Sequence, residues 1–259
     1  MRKLRLGIFG RDTSPTEGGA DTLLQMIAEK FPSSAGATLE LVPVPWSAWS
    51  HRRHPFRFLW LKFARLLGSE IPLVDLRAVC REFQLDLAYF AAPAFARIDI
   101  PFVFTLWDLG HRTIPEFPEV RSASDPWTQR EAMARRMLAQ ASYVVVGNET
   151  GAAEVCSLYG VDRKRVVALP FPNPDFSGVT AVPPAWLPAR PFFLYPAQLW
   201  PHKNHHTLLQ ALALLAKRGV EADLVFVGSD KGNTAFLKST ATELGLTGRV
   251  HFGGFVPRG

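Results

Sequence analysis

The spacing that most directly suggests chemistry lies in Tyr195-Pro-Ala-Gln-Leu-Trp-Pro-His-Lys-Asn-His205. A short apolar run, Phe192 to Tyr195, precedes the turn and is expected to form a buried strand. An apolar helical pattern follows, and after it the strand pattern Leu224-Val-Phe-Val-Gly228. Lys203 therefore falls between the end of a strand and the start of a helix. The first backbone N–H groups of a helix lack partners within it, and its dipole is positive at that end, so a phosphate group is favoured there. Lysine adds a mobile point charge. Together these are what a protein holding a nucleotide diphosphate needs.

Three other segments offer chemistry. The loop Gly10-Arg-Asp-Thr-Ser-Pro-Thr-Glu-Gly-Gly-Ala20 joins a first strand to a helical pattern starting near Asp21. Gly18 and Gly19 allow backbone N–H groups to come close to an anion. The loop lacks the spacing of a dinucleotide fingerprint, and it also fits an ordinary connection. The segment Thr105-Leu-Trp-Asp-Leu-Gly-His-Arg-Thr-Ile-Pro-Glu116 follows a fully apolar strand. Polar residues just past the carboxyl end of a parallel strand sit where ligands bind in open α/β sheets. Asp108 and His111 are the candidate catalytic residues; the alternative is that Asp108 caps a local turn and His111 is a surface residue. His202 and His206 have the i, i+4 spacing of a zinc pair, yet the residue placed to act as base is Lys203, and no Cys or carboxylate completes a set. No metal site is read, and no Asp-x-Asp pair occurs.

These residues need a scaffold of parallel strands, and the chain alternates short apolar runs with longer helical patterns as such a sheet requires. Candidate strands are Leu4–Phe9, Leu39–Val44, Leu85–Phe90, Phe102–Leu106, Tyr143–Gly147 and Val166–Leu169. Asp125 and Pro126 read as N-cap and first residue of a helix running to Gln140. Asn148 caps the next helix, and Gly160 closes it. From Pro170 to Pro191 there are seven prolines and no periodicity, which reads as a linker. Beyond it Leu208, Leu212 and Leu215 share a helical face suited to packing on a second sheet. The expected fold is α/β with two Rossmann-like parallel-sheet domains, residues 1–175 and 191–259, joined by a linker at 176–190. The second is expected to be incomplete, because only about three strands precede Gly259.

With 259 residues and 47% apolar content, the chain can bury a sizeable core in more than one domain. Its net charge of +6 suits phosphorylated partners, but no zinc-finger spacing, aromatic RNA-binding strand or arginine block accompanies it, so no nucleic acid is expected. Cys80 and Cys156 read as free thiols of a cytoplasmic protein. The N-terminus reads as a strand and not a signal peptide, and no apolar stretch reaches the roughly 18 residues that span a bilayer. Residues 51–67 mix bulky aromatics with five Arg or Lys residues. They read first as a helix packed on the core with solvated cations. The alternative is peripheral contact with an anionic membrane on its inner face, useful for a lipid-linked acceptor.

In order and spacing, these motifs resemble the donor-side half of a GT-B glycosyltransferase of the GT4, or group 1, type. The matching residues are Ala197-Gln198-Leu199, Pro201, Lys203-Asn204, Gly228 and Val250-His251-Phe252-Gly253-Gly254-Phe255. The resemblance runs back through most of the chain: Trp107-Asp108-Leu109 and Pro115-Glu116 match a His-Asp-Leu and Pro-Glu pattern, with Trp107 where a histidine often stands. It implies a metal-independent, retaining transfer of a hexose from a nucleotide sugar to a glycan or lipid-linked acceptor, without a cofactor. By that resemblance Lys203, Gln198, Asn204, Gly18 and Gly19 hold the diphosphate, Gly254 and Phe255 border the nucleobase, and His111 takes over from the histidine absent at Trp107. Gln198 replaces the arginine that the family places beside the diphosphate. The resemblance also places a Glu-x7-Glu motif beyond Gly259, so a truncated enzyme is expected. The rival readings are a non-catalytic remnant that binds a nucleotide or partner, and a nucleotide-sugar epimerase of GT-B-like architecture.

Overall fold

Apolar runs of four to six residues are too short for buried helices, and they fold as strands. The computed structural model describes residues 2–10, 38–45, 74–120, 127–171, 177–178, 180 and 182–256. Contacts divide the chain into two compact units, Met1–Pro115 with Val120–Asp175, and Glu116–Glu119 with Phe176–Gly259. Among the described residues no helix is long and apolar enough to cross a membrane.

The first unit contains β1 (Leu4–Phe9), β2 (Leu39–Val44), β3 (Val74–Asp75), β4 (Leu87–Phe90), β5 (Ala96–Arg97), β6 (Phe102–Thr105), β7 (Tyr143–Val146) and β8 (Val166–Ala168). Six of them form a parallel sheet in the order β2-β1-β4-β6-β7-β8, while β3 and β5 pair separately. The chain leaves β1 toward one side and returns at β4 on the other. Such a reversal opens a crevice at the carboxyl ends of the strands. Helices α1 (Arg77–Glu82), α2 (Gly110–Thr113), α3 (Trp127–Gln140) and α4 (Glu149–Tyr159) accompany this sheet. Asn148 caps α4 by accepting the Gly151 N–H at 2.8 Å, and Gly160 ends it with a left-handed φ of 66°. Asp125 and Pro126, the expected start of α3, lie outside the described residues. In the core Phe9 stacks on Phe90 at 5.1 Å, and Phe102 meets Phe90 edge-on at 5.6 Å. Cys80 and Cys156 are free, and burial pushes the Cys80 thiol up to about 11, so it stays protonated.

The second unit contains β9 (Phe192–Pro196), β10 (Asp223–Val227) and β11 (Val250–Gly254), with α5 (His205–Lys217) and α6 (Thr234–Glu243). Its sheet is parallel in the order β11-β10-β9. Leu209, Leu212, Leu224, Phe226, Leu237 and Leu246 form its core. The packed stripe of α5 centres on Leu209, Leu212 and Ala213, with Leu208 at its margin.

One expectation is corrected. β9 is not buried: Phe193 is 53% and Leu194 54% exposed. The strand pairs only with β10 and lies at the edge of the described sheet, whereas β10, between two neighbours, is buried. A Phe-Phe-Leu-Tyr run has the same composition in either place.

Phe226 is fully buried between strands and helices, so Phe226→Ala is expected to cost about 3–5 kcal/mol. Urea unfolding measures this, and a loss below about 1 kcal/mol would show that the site collapses around the cavity.

Candidate functional site

In the second unit the candidate site is built where β9 and β10 end. Leu199 N–H donates to the Ser229 carbonyl at 3.1 Å, tying the loop after β9 to the loop after β10. Gly228 permits this approach, because a Cβ there would lie 2.2 Å from the Ala197 carbonyl oxygen. Gln198 Oε1 accepts the Trp200 indole N–H at 2.9 Å, which leaves the amide NH2 of Gln198 as its free end. Pro201–Lys203 form a 3-10 turn, and Asn204 follows with φ 56° and ψ 40°. Its side-chain oxygen accepts from the Thr207 hydroxyl at 2.8 Å and caps α5. The Tyr195 hydroxyl donates to the Lys203 carbonyl at 2.9 Å. The backbone of Lys203 is thereby held by Tyr195 of β9 while Lys203 itself remains exposed.

His205, the first residue of α5, is 1% exposed. Its ring meets Tyr195 and Phe226 edge-on, each at 4.9 Å. Burial lowers its pKa first, the Ala197 carbonyl works against this, and the Lys203 charge adds to the lowering. It is a neutral wedge under the lysine turn. At the end of β11, the Gly254 carbonyl accepts the Gly228 N–H at 2.8 Å, and Phe255 is 37% exposed. The Trp186 indole packs on Gly253, where a Cβ would stand 2.4 Å from the ring.

In the first unit the turn after β6 carries Asp108 and His111. Asp108 Oδ1 accepts the Gly110 N–H at 2.8 Å and pairs with Arg130 at 2.6 Å, so it closes the local turn that leads into α2. His111 is 2% exposed and not a surface residue. Its Nε2 lies 3.1 Å from Glu131 Oε2 and 3.2 Å from the Tyr159 hydroxyl. A carboxylate only accepts, so Nε2 carries the proton and Nδ1 presents a lone pair. That Nδ1 is buried and has no hydrogen-bond partner among the described residues. Burial pushes the His111 pKa down, opposed by the bond to Glu131.

Glu131 is the hub of this cluster. It accepts from Arg112 Nε at 2.9 Å, from the Tyr159 hydroxyl at 2.8 Å and from Arg135 at 2.6 Å, and also bonds Arg112 through a second nitrogen. Burial alone would raise its pKa, but the bonds from Arg112, Tyr159 and His111 outweigh it and bring it to about 2.

Lys203, Gln198 and Asn204 thus share one turn, with Gly254 bonded to the neighbouring Gly228; Asp108 and His111 share another in the first unit. Gly18, Gly19 and the basic stretch 51–67 lie outside the described residues. Glu131, Tyr159, Trp200 and Lys231 were not singled out from the sequence. For Lys231 the available signal was its place in Gly228-Ser-Asp-Lys-Gly232, just past a strand end. For Glu131 only the i, i+4 spacing to Arg135 was readable, because His111, Arg112 and Tyr159 come from helices far apart in sequence.

Glu131 goes from an ordinary 4.5 to about 2 on folding. Its contribution is therefore present above pH 4.5 and is lost as pH falls toward 2. Glu131→Gln is expected to destabilise the protein by about 3 kcal/mol at pH 7, since it leaves buried donors without their anion. The variant should also show a flatter stability profile between pH 4.5 and 2. Matching profiles for variant and wild type in urea unfolding would exclude Glu131 as the acid-sensitive group.

Residues 184–259 match the family model described as Glycosyl transferases group 1. No curated protein sequence matches the chain. Among solved structures it is similar to WaaG, a glycosyltransferase involved in lipopolysaccharide biosynthesis, at 16% identity and TM-score 0.57, over 98% of this chain and 70% of that one. It is similar to the lipopolysaccharide outer core galactosyltransferase WaaB in its apo form at 16% identity and TM-score 0.52, over 98% and 68%. A third is S. aureus MnaA solved with UDP, at 13% identity and TM-score 0.50, over 99% and 69%. The chain spans somewhat over two thirds of the length of these relatives, and at such identities the likeness is one of fold. By fold the chain is GT-B-like, and residues 184–259 match the model of the glycosyl transferases group 1.

Proposed function

We propose that this protein transfers a hexose from a nucleotide-sugar donor to a glycan or lipid-linked acceptor, with retention of configuration and without a metal. The observation that carries this reading is the exposed Lys203 at a strand end, on a turn whose carbonyl is fixed by Tyr195 and which leads into the amino end of α5. The group 1 match over the same residues supports it. In the reaction the bond from the anomeric carbon to the diphosphate oxygen breaks, and one to an acceptor hydroxyl oxygen forms. The acceptor proton leaves with the diphosphate. Lys203 and the first N–H groups of α5 stabilise the charge that builds on the leaving group. The Gln198 amide contributes a weaker, neutral hydrogen bond, and Asn204 sets the turn that aims the helix end.

Gly254 and Phe255 border the nucleobase in this reading. In this reading His111, held by Glu131, and Asp108 belong to the acceptor side, with His111 acting from within the turn, where its ring and Nδ1 are buried. The assignment of Gly18 and Gly19 to the diphosphate, and of 51–67 to the inner face of a membrane, rests on sequence alone. A cytoplasmic enzyme of cell-envelope polysaccharide synthesis fits these features. A second reading is a nucleotide-binding protein without turnover. It is favoured by the absence of a charge at Gln198, whose side-chain oxygen is already taken by Trp200.

Calorimetric titration with UDP and GDP tests the diphosphate site. Lys203→Ala should weaken the nucleotide that binds by about 1.5–3 kcal/mol, as for a lost charge-assisted contact. Unchanged affinity would sink the site. Product formation with a nucleotide-sugar panel and an acceptor separates transferase from binding protein.

A further inference from the structure

A single lysine is a weak clamp for a group carrying two phosphates, and the loop at the end of the adjacent strand carries a second one. The bond from Leu199 N–H to the Ser229 carbonyl, 3.1 Å long, clips that loop to the lysine turn. Two residues further on, Lys231 Nζ lies 5.4 Å from the centroid of the Trp200 ring. Trp200 also donates its indole N–H to Gln198 at 2.9 Å, and its carbonyl accepts the Lys203 N–H at 3.0 Å. One residue therefore joins the residue that lacks a charge to both lysines, to Gln198 and Lys231 through its indole and to Lys203 through its backbone carbonyl.

The neighbouring acid does not occupy Lys231. Asp230 Oδ1 accepts the N–H groups of Gly232 at 2.9 Å, Asn233 at 3.2 Å and Thr234 at 3.3 Å. Its charge is thus directed to the amino end of α6, where the bond to Thr234 is the largest cause lowering its pKa. Neither Lys203 nor Lys231 is in an ion pair among the described residues. A cation resting on the face of a half-buried indole, with no carboxylate paired to it, can pass to a phosphate oxygen.

We propose that Lys231 is the second cation of the diphosphate site, supplied from the β10 loop and held ready by Trp200, in the role that an arginine at position 198 would fill. This rests on the diphosphate reading of Lys203. It makes the site a two-lysine clamp for a nucleoside diphosphate, built from the ends of two adjacent strands.

The test is calorimetry of the whole protein with UDP, GDP and uridine at two salt concentrations, for wild type, Lys203→Ala, Lys231→Ala and Lys231→Arg, with melting temperatures as the control for folding. Lys231→Ala is expected to weaken the diphosphate roughly 5–30-fold and to reduce the salt dependence of binding. It should leave uridine affinity and melting temperature unchanged, and Lys231→Arg should restore binding. If Lys203→Ala loses affinity and Lys231→Ala does not, the second cation is wrong and the site stands. If Lys231→Ala weakens uridine as much as the diphosphate, or lowers the melting temperature, Lys231 is structural and the proposal falls. If wild type binds neither diphosphate, or if neither alanine variant changes binding, the diphosphate reading falls and this proposal with it.

Discussion

The second unit depends on two parallel strands ending close enough for their loops to bond. That closeness exists because residue 228 has no side chain: the Ala197 carbonyl occupies the space where a Cβ would be. With the backbones in contact, Leu199 reaches Ser229, and the chain beyond is committed to the short turn at Pro201–Lys203. The capping of α5, the seating of His205 against Tyr195 and Phe226, and the meeting of Trp200 with Lys231 all lie downstream of that contact. A methyl group at 228 would not remove a polar partner. It would separate the loops that present them.

The two units fix their polar groups by different physics. In the first, a buried carboxylate gathers five donor groups from four residues, and removing it leaves the buried His111 and the Tyr159 hydroxyl without their acceptor, at a cost of about 3 kcal/mol. Such a cluster makes the turn after β6 rigid. In the second, the lysines are held through their backbone or by an aromatic face, interactions of about 1 kcal/mol or less at an exposed position. Neither lysine is in an ion pair among the described residues; Lys203 is exposed, and Lys231 is half-buried against Trp200. Rigidity is supplied by strands and glycines, and the charge is left free.

Much of the fold was legible because the apolar runs are short and well punctuated. Leu4–Phe9 and Leu39–Val44 are strands with those bounds, and Asn148 and Gly160 delimit α4 through chemistry local to the chain. The two-residue strands β3 and β5 are too short to carry periodicity. The exposure of β9 was hidden because it depends on how many neighbours a strand has, a property of the sheet and not of Phe-Phe-Leu-Tyr. At the candidate site, the place of Lys203 between a strand and a helix was readable. Lys231 and Glu131 were not, since what distinguishes them is a contact with a residue distant in sequence. His111 illustrates the same limit: its position past β6 was readable, but its burial against Glu131 and Tyr159 was not.

The pairing of β1 bears on how the chain comes to be folded at all. Leu6 lies beside Leu87, and the Arg5 N–H bonds to the Asp86 carboxylate at 2.9 Å. A ribosome adding about 5–20 residues per second needs several seconds to deliver that partner. Through that interval one side of the first strand has nothing of its own sheet to pair with. Closing so large a loop is slow, and an unpaired apolar strand is open to wrong partners while it waits. For this protein an interior strand of the first sheet, next to the edge strand β2, is made well before its β4 partner and is enclosed late, so until β4 arrives that side of β1 is open to association.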